Sequence, residues 1–252
     1  MKKFLIPAII CISVISGFEC KGPDGSQGPA GPSLTGTVTG FIKLIDQNDN
    51  LLTSRGGAVV TIGGLNLSDS TDSTGKWTFT EVPTGTYPMT FSCNGYGSYV
   101  INGQQVLGGG ALYLGTIPLI QPQSFGIKTI DIRDTTNATY GGYIDITGSA
   151  NDSIYSTGKK IICFLGTTSA VSSAPANYLY TIAITPTESG SFSRSVYPQE
   201  LESAGFSPGD SVHIIVYGAS EYYYTYYDPA TGRSIFNGLS YTPSAVVGVV
   251  IP

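Results

Sequence analysis

Thr37-Val-Thr-Gly-Phe-Ile-Lys-Leu-Ile45 alternates from one residue to the next and is rich in β-branched side chains. That is the pattern of a strand with one face on a core. Asp46-Gln-Asn-Asp-Asn50 closes it with turn chemistry. The same grammar then repeats. Ala58–Ile62 is a second strand ending at Gly63-Gly64, and Asp69–Gly75 is another turn. Lys76–Thr80 alternates with Trp77 and Phe79 on one face, and Val82-Pro-Thr-Gly-Thr86 leads into Tyr87–Phe91. Asn94-Gly-Tyr-Gly97 closes that hairpin, and residues 100–106 and 111–119 supply the last strands. Short strands at roughly ten-residue spacing predict a β-sandwich over residues 34–120.

Pro118-Leu-Ile-Gln-Pro122 reads as a joint, and a second β region follows over residues 123–252. Gly126–Ile132 and Gly142–Thr147 alternate, while Lys160-Ile-Ile-Cys-Phe-Leu165 reads as a buried run. Leu179–Thr185, Gly190–Val196, Val212–Gly218 and residues 246–251 add four more strands. Gln199–Gly205 is the one short helix expected. The fold class is therefore all-β, two tandem β-sandwiches, the second like a fibronectin type III or immunoglobulin domain in strand pattern only.

The order of the punctuation in the first sandwich is more specific than the strand count. Gly36-Thr-Val-Thr-Gly40, Gly57-Ala-Val-Val-Thr61, Thr74-Gly-Lys-Trp-Thr-Phe79, Val82-Pro-Thr-Gly-Thr-Tyr87 and Asn94-Gly-Tyr96 follow one another in sequence. This succession resembles the carboxypeptidase regulatory-like domain, a transthyretin-type β-sandwich. The resemblance implies a structural or binding unit of an exported protein and carries over no catalytic residue. In the turns, Gly75 is expected to open the Trp77 strand, and Pro83 with Gly85 to form a type II-like turn. Tyr87 and Tyr96 are expected to bury their rings and keep their hydroxyls bonded.

Working back toward the first residue, the reading changes from fold to address. Lys2-Lys3 followed by the apolar run Phe4–Ile15 is a charged region and a hydrophobic region too short to span a bilayer core of about 30 Å. Residues 1–19 read as an export signal that is removed. Cleavage before Gly17 and cleavage before Cys20 compete. The second resembles a bacterial lipoprotein signal, in which Cys20 is acylated and holds the chain to a membrane. Glu19 departs from the small residue usual before such a cysteine. Gly22-Pro-Asp, Gly25-Ser-Gln, Gly28-Pro-Ala and Gly31-Pro-Ser place glycine at every third position. Four triplets bury little, so residues 20–33 read as an anchor and an extended tether rather than a trimerising triple helix. The localisation expected is the bacterial cell envelope.

Composition narrows the functions. Charged residues are 12% of the 252, about half the usual share, and glycine (33) and tyrosine (17) are abundant. The formal net charge of −5 becomes −6 once Lys2, Lys3 and Glu19 are removed, and no basic run offers itself to nucleic acid. With one histidine, the chain lacks the usual protein ligands of a catalytic zinc. No cofactor or metal is expected. Asp46–Asn50 begins like a calcium loop, but Leu51 stands where glycine is needed and Gly57 where the bidentate glutamate is needed, so the turn reading is kept. Cys93 and Cys163 read as two buried free thiols, because a bridge requires Cα atoms within about 7 Å. His213, in Val212-His-Ile-Ile-Val-Tyr217, shares a strand face with Ile215 and Tyr217 and reads as structural; a hydrolase built on it is the remote alternative.

The most unusual stretch is Glu221-Tyr-Tyr-Tyr-Thr-Tyr-Tyr-Asp228. In a strand, Tyr222, Tyr224 and Tyr226 would share one face, and Tyr223 and Tyr227 the other. One set fills a core; the other is covered by the loop at 228–238, or is exposed and available to sugar rings or a protein partner. The primary reading is a non-catalytic envelope lipoprotein, a structural or adhesive surface module. The second is a glycan-binding accessory protein using these tyrosines. The intact mass of the membrane-extracted protein is expected to give a chain beginning at acylated Cys20; a chain beginning at Gly17 overturns the anchor.

Overall fold

The computed structural model describes residues 34–137, 141–151 and 158–252. The export signal, Cys20 and the glycine-triplet tether lie outside the described residues. The first half contains seven strands: β1 (Thr35–Ile45), β2 (Val59–Ile62), β3 (Leu67–Ser70), β4 (Lys76–Pro83), β5 (Gly85–Ser92), β6 (Tyr99–Val106) and β7 (Ala111–Ile120). Alternation in β1 turns Val38, Ile42 and Leu44 inward and leaves Thr37, Thr39, Phe41 and Lys43 on the outer face. β1 is the central strand of its sheet, antiparallel to β4 and parallel to β7. A second sheet, in the order β3-β2-β5-β6, packs against it. Between the sheets lie Trp77, Phe79 and Phe91, with Trp77 set against both phenylalanines at ring-centroid distances of 5.9 and 5.7 Å. Such tilted and edge-on pairs add to what area burial alone supplies.

Local chemistry explains the joins. Asp72 accepts hydrogen bonds from the backbone of Thr74 and Lys76 and from the Thr74 hydroxyl, which hold its carboxyl below the usual carboxylate range. Gly75 follows in the left-handed region at φ 87°, and a Cβ there would stand 2.2 Å from the Ile42 carbonyl oxygen. Only glycine fits this turn. The type II-like turn expected at Pro83 and Gly85 is not formed. Glu81 takes the left-handed conformation instead (φ 57°), and Thr84 links β4 to β5 while its amide and hydroxyl both donate to the Leu34 carbonyl. Part of the stretch expected as a turn at 69–75 pairs with β2 as strand β3. Tyr87 is half-buried against the core and donates its hydroxyl to the Pro83 carbonyl.

β7 continues through Pro118 to Ile120, so the expected joint is itself strand and the chain leaves the first sandwich only at Gln121. The second half has β8 (Ile127–Asn137), β9 (Gly141–Ala150), β10 (Lys160–Gly166), β11 (Tyr180–Ile184), β12 (Ser191–Val196), the one-turn helix α1 (Pro198–Ser203), β13 (Ser211–Ala219), β14 (Thr225–Tyr227), β15 (Ser234–Phe236) and β16 (Val247–Val250). One sheet runs β12-β9-β8 and the other β11-β10-β13-β16. Their core is mainly aliphatic, with Ile144, Ile146, Ile161, Leu165, Ile214 and Val216 buried beside Phe125, Phe192 and Phe206. Cys163 lies in this core, fully buried, and burial pushes its thiol up to about 12. It and Cys93 are both free thiols.

Ile161–Leu165 is buried on both faces. Ile161, Cys163 and Leu165 point into the sandwich, and Ile162 and Phe164 point out. The outer residues, with Ile215 of β13, form a third apolar cluster, covered by Val171, Tyr178 and the segment 221–240. That covering brings the tyrosine stretch back against the first sandwich. The described residues make one compact unit.

Candidate functional site

The tyrosine stretch does not form one long strand. Glu221–Tyr224 is a turn and its exit, and only Thr225–Tyr227 is extended, paired with Ser234–Phe236. The expected split into two tyrosine rows is therefore replaced by five separate environments. Tyr223 stacks on Phe236 at 5.8 Å within the third cluster. Lys43 donates to the Tyr224 hydroxyl at 3.2 Å and lies 5.3 Å from that ring's centroid. Tyr226 packs edge-on against Tyr99 of β6 at 5.2 Å. Burial raises the Tyr226 phenol's pKa, opposed in part by a hydrogen bond with Ser98. The Tyr227 carbonyl accepts from the Asn102 side chain at 2.9 Å, while its ring is 69% exposed. Tyr222 is 49% exposed.

The stretch thus lies along the junction between the sandwiches, and the polar centre of that junction is a residue that sequence reading gave no role. Lys159 is buried and donates to an Asp49 carboxylate oxygen at 2.9 Å and to the Gln47 carbonyl. The two side chains are only 6% and 12% exposed. The Ser220 hydroxyl donates to the other Asp49 oxygen and accepts from the Tyr222 amide. Asp49 sits in the left-handed region at φ 66°, inside the turn 46–50. Partial burial would raise the Asp46 carboxyl, but bonds from the backbone and side chain of Asn50 and the backbone of Asn48 leave it lowered. The turn is saturated by its own amides, with Asp49 facing Lys159 rather than a cation site. Among the described residues, no group of three or more His, Cys, Asp or Glu side chains is placed to hold a metal ion.

Two further contacts complete the junction. Asn237 donates to the Pro118 carbonyl at 3.4 Å. Gly238, at φ 80°, lets the backbone approach Ile120 where a Cβ would come within 2.8 Å of that side chain. A pocket of about 290 Å³ opens at the edge of this junction, lined by Lys43, Ile45, Asp49, Leu51 and Tyr222.

His213 lies elsewhere. It shares the outer face of β13 with Ile215 and Tyr217 and lies beside Gly248 of β16. An open groove of about 640 Å³ contains it together with Ser169, Ser211 and Val246–Val250. No hydrogen bond joins His213 to either serine among the described residues.

No protein-family model matches the chain, and no curated protein matches it in sequence. Among solved structures, it is similar to a candidate carbohydrate-binding protein from Bacteroides uniformis, at 13% identity and a TM-score of 0.33, over 86% of this chain and 100% of that one. It is also similar to a DUF3823 family protein from Parabacteroides merdae, at 14% identity and a TM-score of 0.30, with the same coverage. A type II cohesin–X-dockerin complex from Acetivibrio cellulolyticus matches at 27% identity and a TM-score of 0.29, over 33% of this chain and 56% of that one. At such scores none of these likenesses bears on function.

Removing one member of a buried ion pair strands the other. Lys159→Met is expected to destabilise the chain by about 3–5 kcal/mol in urea denaturation. Arg133→Met, which breaks an exposed pair with Asp131 (77% and 50% exposed), is expected to change stability by less than about 1 kcal/mol. Equally small losses in the two variants contradict the role given to Lys159.

Proposed function

We propose that this chain is a non-catalytic envelope lipoprotein acting as a structural or adhesive surface module. In this reading Cys20 carries the acyl anchor, residues 21–33 are the extended tether, and two sandwiches, over 34–120 and 123–252, form the presented body. The first is of carboxypeptidase regulatory-like type, on the motif order Gly36 to Tyr96. The observation that carries the proposal is the junction. Tyr224 and Tyr226 meet Lys43 and Tyr99 of the first sandwich, while Tyr223 stacks on Phe236 of the second, so the most unusual stretch of the sequence ties the two sandwiches into one body. A joined pair of sandwiches presents its outer faces in a fixed relation, as an adhesive or scaffolding module requires.

A second reading, glycan binding, is favoured by one observation: Tyr222 and Tyr227 keep their rings at the surface of the same segment, 49% and 69% exposed. Exposed tyrosine rings offer large amphipathic contact area at low cost in conformational entropy. His213 has no catalytic part in either reading.

The test is attachment. Cells displaying the full chain are expected to be retained on a host or neighbour-cell surface more strongly than cells carrying Cys20→Ala, which releases the chain to the medium. His213→Ala is expected to match the unaltered chain. Equal retention with and without the anchor, or retention lost in His213→Ala with the fold intact, overturns the proposal.

A further inference from the structure

The pocket at the junction edge combines features that a simple packing defect does not. Its floor is apolar, from Ile45 and the half-exposed Leu51. Tyr222 forms a further part of its wall, and Lys43 and Asp49 give the lining one cation and one anion. The wall is held in place: the Tyr222 amide donates to the Ser220 hydroxyl, which donates to Asp49, which is paired with Lys159. Site and junction are built from the same bonds, so the pocket exists before any ligand arrives.

Charge selects the class of ligand. An anion would meet Asp49, and a cation would meet Lys43 with Lys159 behind it. A neutral molecule bearing neighbouring hydroxyls can donate to the carboxylate and accept from the ammonium at once. Each Asp49 oxygen already accepts one hydrogen bond and has a second lone pair. Lys43 has one proton directed to Tyr224 and two left over. The ring of Tyr222 and the apolar floor ask the same molecule for a C–H face. Size limits it further, since about 290 Å³ lies at the bottom of the ~300–1,000 Å³ range of ligand pockets and holds one ring rather than a chain.

We infer that this pocket is a binding site for a single neutral pyranose ring, stacked on Tyr222 and hydrogen-bonded between Lys43 and Asp49. The inference rests on the glycan reading above and gives it a place.

The full chain is titrated, by saturation-transfer NMR and calorimetry, with the methyl glycosides of glucose, galactose, mannose and N-acetylglucosamine. Methyl glucuronide and glucosamine serve as charged counterparts. At least one neutral glycoside is expected to bind, tenfold or more tightly than its charged counterparts. Tyr222→Ala and Lys43→Met are each expected to weaken it tenfold or more, with Trp77 fluorescence unchanged to show the fold is kept. Tyr241→Ala, at an exposed tyrosine outside the pocket lining, is expected to bind like the unaltered chain. Neutral-sugar binding that survives both Tyr222→Ala and Lys43→Met overturns the pocket while leaving the glycan reading in place. Preference for a charged sugar overturns the neutral assignment. Binding by none of the probes overturns both the pocket and the glycan reading.

Discussion

A buried ammonium needs a counter-charge, and Lys159 finds its counter-charge on the other sandwich. Isolated in a low-dielectric junction, either charge would carry a penalty of several kcal/mol. The Asp49 carboxylate meets the ammonium at 2.9 Å, and Ser220 and the Gln47 carbonyl supply the remaining bonds. Apolar contacts alone would let two sheet surfaces slide. A charge pair with one partner on each side does not, because displacement strands both ions. The turn at 46–50 is the consequence on one side, saturated internally so that Asp49 is held outward in a left-handed conformation.

The second constraint is the apolar outer face of β10 and β13. Ile162, Phe164 and Ile215 would be exposed if the sandwich ended at its two sheets, so the chain lays residues 221–240 across them. The segment that covers this face also reaches β6 and β1 of the first sandwich, through Tyr226 on Tyr99 and Tyr224 on Lys43. Covering and joining are done by one segment, through Tyr223, Phe236 and Leu239 on one side and Tyr224, Tyr226 and Asn237 on the other. That is why tyrosines are useful here: the Tyr224 and Tyr226 rings pack at the junction while their hydroxyls bond to Lys43 and Ser98.

Much of the fold is legible in the sequence because period-two patterns carry their own burial. β1 turned Val38, Ile42 and Leu44 inward as its alternation requires, and the unbroken run Ile161–Leu165 is buried on both faces. Gly75 was readable as a turn residue, and its positive φ and its contact with the Ile42 carbonyl give the reason. Three local expectations failed because tertiary pairing outranked turn chemistry, among them the joint at Pro118, where the chain instead pairs with β1 through Ile120. Thr84 is fixed by the Leu34 carbonyl instead of by a Pro83–Gly85 turn, and Leu67–Ser70 pairs with β2. The junction was the least legible part. Lys159 and Asp49 lie 110 positions apart, and a lysine between Gly158 and Lys160 carries no local signal of burial. The tyrosines were conspicuous, but their five separate environments follow from what the first sandwich presents to them.

The central claim is that the junction makes the two sandwiches one cooperative body. Each core contains its own reporter: Trp77, the one tryptophan, in the first, and the buried thiol of Cys163 in the second. Urea titration of the full chain, followed by Trp77 fluorescence and by pulse-labelling of Cys163, compares the two directly. The account predicts a single shared midpoint. Two midpoints separated by about 1 M urea or more would show that each sandwich unfolds alone, and would contradict it.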